Sequence, residues 1–160
     1  MVIDWEMSKR TDVATPVAAA AASARSIGDD ELLAAFESGR VLEGGFHHEE
    51  HVRVAWLYLR REAWPLALAR FSEGLMHFAR AQGQPGLYHE TVTVAFFLVI
   101  QERMADAGAG GSFDEFARRH SDLLAWKPSV LDRYYEKATL DSDRARRTFV
   151  MPDRLAAPRC

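Results

Sequence analysis

The chain has 160 residues, 48% hydrophobic and 27% charged, with a formal net charge of −3. That length suits one domain with a sizeable core, and the mildly acidic balance argues against a nucleic-acid partner, which would depend on a basic face. The single cysteine, Cys160, excludes an intrachain disulfide and a thiolate-rich zinc site, and a reducing cytoplasm is the expected compartment.

Residues 1–27 read as a flexible Ala-rich extension, typified by "TPVAAAAASARS", and residues 28–160 as a single helical domain. The leader "MVIDWEMSKR" is mixed in charge, and the Ala-rich stretch lacks Leu and Phe, unlike a secretory signal. "GDDELLAAFESG" has an acidic start, an apolar i, i+3, i+4 set and a glycine stop, which predicts a helix over Asp29–Ser38. A second helix is expected from about Phe46 to Glu62. A third opens on Pro65 in its first turn, where a missing N–H is harmless, and stops at Gly83.

The fourth helix, from about Tyr88 to Ala107, contains "VAFFLVI" and is apolar nearly all round. Such a helix suits the middle of a bundle, and a homodimer seam would look the same. No apolar run reaches the roughly 18 residues of a membrane span. Ser112 followed by Glu115 predicts a capping box for "SFDEFARRH". "PSVLDRYYEKAT" and "SDRARRTFV" make two short helices, the last capped by Ser142 or Asp141. The expected fold is all-α: a compact helical bundle of about four main helices with a short-helix C-terminal wrap, packed through Trp126, Tyr134, Tyr135 and Phe149.

Three of the six histidines fall in "FHHEEH", at 47, 48 and 51. Successive residues turn by about 100° on a helix, so phase sorts them. Val52, Ala55, Trp56 and Leu59 mark the apolar face of the second helix. His48 falls within it and His51 beside it, while His47 lies farther round and Glu49 and Glu50 point to solvent. His89 shares a face with Thr93, Phe96 and Ile100, so it too points inward. His77 reads as a surface residue, and His120 as packing or capping.

Inward imidazoles need hydrogen bonds or a metal. His48, His51 and His89 therefore form a candidate three-ligand set for a divalent transition metal, zinc or iron foremost, with Glu90 as ligand or general base. The alternative is a polar network in which Tyr58, Tyr88, Thr93 or carboxylates satisfy the rings. "HHEEH" also matches H-x-x-E-H, but no sheet of the kind that houses that zinc-protease motif is predicted, and phase favours His48 over His47. The E-x-x-H pairs of a di-iron bundle are absent, as Gly45 and Gly86 stand three residues before His48 and His89. The chain has no phosphate-binding glycine loop and no dinucleotide fingerprint. Arg53, Arg133, Arg144 and Arg147 are candidate anion ligands, and the remaining arginine pairs are read as solvated faces.

The pattern "FHHEEHVRVAWLYL…YHETVTVAFFLVI…LLAWKPSVLDRYY…SDRARRTFVMPD" resembles a group of small all-α proteins of unassigned function. They share an F-H-H-x-x-H-x-R helix and a Y-H-E-T-x-T helix. The likeness spans about residues 45–153 and rests on Phe46, His48, His51, Trp56, Tyr88, His89, Glu90, Thr91 and Thr93. It implies the fold and no activity. Two functions are expected from these readings. One is a small metal-dependent enzyme acting on a small polar substrate. The other is a non-catalytic helical metal carrier or protein-interaction module with a structural histidine cluster.

Overall fold

The computed structural model of the protein describes residues 27–42, 45–107 and 111–154. Apart from Ile27, the expected N-terminal extension lies outside the described residues. The chain is all-α: helices and short 3-10 turns, with no strand among the described residues. It divides into two compact units, Met1–Tyr88 and His89–Cys160. No described helix is long and apolar enough to cross a membrane.

The first unit holds α1 (Asp29–Ser38), α2 (His48–Arg61), α3 (Trp64–Ala81) and a 3-10 turn at Pro85–Leu87. Asp29, Asp30 and Glu31 face the positive end of the α1 dipole. Gly39, at φ 70°, ends that helix in the left-handed conformation that glycine adopts without strain. α1 packs on α2 and α3, which pack on each other.

At the centre lies the Phe36 ring, stacked near Phe71 and Phe78 at centroid distances of 6.0 and 6.1 Å. α2 was expected to bury a single stripe. Instead Val54, Leu57 and Tyr58 are buried along with Val52, Ala55 and Trp56, because α1 and α3 both lie against this helix. Polar ties join α1 to α2. Tyr58 donates to Glu37 at 2.8 Å, Arg61 pairs with Asp30, and Arg53 grips Asp29 and the Ile27 carbonyl.

The second unit is built on α4 (Glu90–Ala107), followed by α5 (Phe113–Arg119), 3-10 turns at Ser121–Leu123 and Val130–Arg133, α6 (Lys137–Leu140) and α7 (Asp143–Arg147). α7 and the second of these turns pack on α4. The caps are those the sequence spells. Ser112 Oγ accepts from Glu115 N–H at 3.3 Å while Glu115 accepts from Ser112 N–H at 3.0 Å, and Ser142 Oγ accepts from Ala145 N–H at 3.1 Å.

After α7 the chain runs on as a strap, pinned along its length. Thr91 donates to the Thr148 carbonyl at 2.8 Å and accepts from Val150 N–H at 3.0 Å, and Tyr135 donates to the Val150 carbonyl at 2.9 Å. Arg154 grips both oxygens of Glu136 at 2.7 and 2.8 Å and the Asp132 carbonyl at 2.6 Å. Of the four aromatic residues expected to pack this region, Tyr135 is fully buried, while Trp126, Tyr134 and Phe149 are half-buried.

Candidate functional site

α2 begins where His47 leaves the helix in extended conformation and serves as the N-cap residue. Glu50, at the third helical position, accepts a hydrogen bond from His47 N–H at 2.6 Å. This corrects the expectation that Glu50 is solvated: it is only 4% exposed. The carboxylate folds back onto the first turn, where a helix start offers unsatisfied N–H donors and a favourable dipole. The signal was present in the sequence, since a Glu three residues after a cap is half of a capping box. The cap itself is His47, outside the Ser/Thr pattern that usually announces one.

His48 and His51 are both buried on α2, one turn apart, as their phase predicts. His51 stands among aromatic rings. Phe46 lies at 5.0 Å between centroids, while Phe78 at 6.2 Å and Phe36 at 6.4 Å meet it edge-on. Burial in this apolar surrounding holds the His51 ring well below the ordinary histidine value, and the neighbouring His48 acts in the same direction. The ring is therefore neutral at pH 7 and packs as one more aromatic member of the core.

His89 opens the second unit as the N-cap of α4. Its Nδ1 accepts from Val92 N–H at 3.3 Å, and its carbonyl accepts the first helical bond from Thr93 N–H at 3.0 Å. Its Nε2 lies 2.8 Å from the Leu140 carbonyl. A carbonyl accepts only, so the ring carries its proton on Nε2 and offers its lone pair at Nδ1. Burial pushes the His89 pKa down, and this hydrogen bond to Leu140 opposes the shift without reversing it. Both ring nitrogens are thus engaged inside the second unit, one ordering the start of α4 and the other tying it to the end of α6.

Glu90 occupies the first position of α4, half-buried, where its charge complements the positive helix end. Among the described residues, no group of three or more His, Cys, Asp or Glu side chains is placed to hold a metal ion. The candidate arginines have local partners or lie in solvent. Arg53 is held by Asp29 and Ile27, Arg133 by Asp122, and Arg144 and Arg147 are exposed. Comparison with protein-family models, with curated proteins and with solved structures finds no match to this chain.

One residue escaped the sequence reading. Thr91 is fully buried and holds the strap through its one hydroxyl, and a threonine early in a helix gives no such signal. His120, expected to pack or cap, ends α5 and is buried beside Phe116, close to charged neighbours.

Proposed function

We propose that this chain is a non-catalytic helical protein, of the interaction-module kind, whose inward histidines serve the fold. The observation that carries this reading is the double engagement of His89, whose Nδ1 caps α4 and whose Nε2 donates to Leu140. A histidine that closes a helix and ties it to a residue 51 positions away has a structural reason to face inward. The aromatic surround of His51 and the helix-start position of Glu90 support the same reading.

A second reading keeps a metal through His48 and His51 alone. Both are buried one turn apart on α2, and neutral imidazoles at that spacing suit a divalent transition ion such as zinc or iron.

One measurement separates the two. The protein is purified without a metal-affinity column, its metal content is read by mass spectrometry, and zinc and ferrous iron are titrated in. The structural reading expects no stoichiometric metal and no saturable uptake. Its test variant, His89→Asn, keeps a good capping residue and is expected to retain the fold by circular dichroism. Stoichiometric metal lost in both His48→Ala and His51→Ala would establish the second reading. Metal lost in His89→Ala as well would overturn the first outright.

A further inference from the structure

His120 is a buried polar side chain of the second unit. It is 8% exposed, its ring centroid lies 4.9 Å from that of Phe116, and neither Nδ1 nor Nε2 has a hydrogen-bond partner among the described residues. Its backbone is fixed on both sides: the N–H donates to the Phe116 carbonyl at 2.9 Å, and the carbonyl accepts from Leu123 N–H at 2.9 Å. The ring is therefore held at the junction of α5 and the 3-10 turn at Ser121–Leu123.

Two residues on, one oxygen of Asp122 serves two guanidinium groups. Arg103 of α4 reaches it at 3.3 Å and Arg133 of the next turn at 3.2 Å. The Arg103 bond is the ion pair that ties this turn to α4. Both contacts are long for charge-assisted hydrogen bonds, so a stronger competitor for that carboxylate can displace them.

We propose that His120 is a proton-operated latch: on protonation its ring draws the Asp122 carboxylate away from Arg103 and Arg133, and the Ser121–Leu123 turn comes loose from α4. A neutral imidazole has one donor and one acceptor, whereas the cation has two donors and a charge that a buried site must answer. The charged groups around the ring are Arg103 and Asp106 from α4, Arg119 from α5 and Asp122 from the turn, with Arg133 acting through Asp122. The arginines repel the added charge and the carboxylates attract it, and Asp122 is carried by the turn that His120 itself begins. At neutral pH the latch is closed, because burial first and Arg103 next keep the ring from taking a proton. Acidification opens it.

The test uses the full chain. The ring of His120 is titrated by proton NMR, and amide exchange is followed on the same sample between about pH 7.5 and pH 5. Protection of the Leu123 and Leu124 amides, corrected for intrinsic exchange, is expected to fall about tenfold or more as the His120 ring titrates. The amides of Val99 and Ile100 in mid-α4 should hold. His120→Phe should remove the step. Asp122→Asn, which takes away the carboxylate, should leave the turn equally loose at both pH values. A wild type without the step, or a step of full size in either variant, overturns the latch.

Discussion

A side chain at position 74 would collide with Phe36: a Cβ built on Gly74 lies 2.3 Å from Phe36 Cε1. On α3, residue 74 sits three places after Phe71 and four before Phe78, on the same helical face. The missing side chain therefore opens the slot into which α1 inserts the ring, between its two stacking partners. Gly74→Ala should favour the isolated helix by about 1 kcal/mol, but overpacking this site should cost about 1–3 kcal/mol. A net loss is expected, read as a lower urea midpoint with an unchanged slope. Phe36→Leu in the same chain should relieve part of it, because the two positions contact each other. A midpoint that rises in the single variant would show that the ring moves aside freely.

Acid should destabilise the first unit through His51. Burial sets its folded pKa below that of the unfolded chain, so below about pH 6.5 the unfolded state binds the extra proton. The stabilisation is complete above that value, is lost as pH falls through it, and levels off once pH drops below the folded pKa. His89 and His120 carry the same sign. Urea midpoints measured between about pH 7.5 and pH 5 should fall with pH, and His51→Phe should shallow the fall. An undiminished fall in that variant would remove His51 from the account.

Thr91→Val removes a hydroxyl and keeps the shape. The Thr148 carbonyl loses its donor and Val150 N–H its acceptor, with little room for water at a fully buried side chain. A cost of about 1–3 kcal/mol is expected for groups left unsatisfied in this way. The accompanying sign should be faster amide exchange at Val150, with the α2 amides unchanged. Thr91→Ser, which restores the hydroxyl, should recover most of the protection.

Much of the local architecture was legible in the residues. Gly39, Pro65, Ser112–Glu115 and Ser142 mark helix ends through chemistry that acts within a few residues, and the structure places helix boundaries there. Phase likewise assigned His48, His51 and His89 to buried positions. What phase cannot carry is the partner. The Leu140 carbonyl that takes the His89 proton is 51 positions away, and a backbone group leaves no trace in residue identity. Glu50 misled for a related reason. Its helical angle points it outward, but at the third position of a helix a carboxylate can turn back to the open end, and that local bond overrides the angle. The circumference of α2 was narrower on paper than in the fold because burial on two sides depends on two neighbouring helices.

The strap gives the second unit an order of assembly. α4 begins at Glu90, yet His89 and Thr91 at its start are tied to Leu140, Thr148 and Val150. On a ribosome these emerge some 50 to 60 residues after the helix start they secure, since the links span 51, 57 and 59 positions. Until then the most apolar of the described helices lacks those bonds. The interval before Thr148 and Val150 arrive is when a growing chain most needs protection from its own apolar surface.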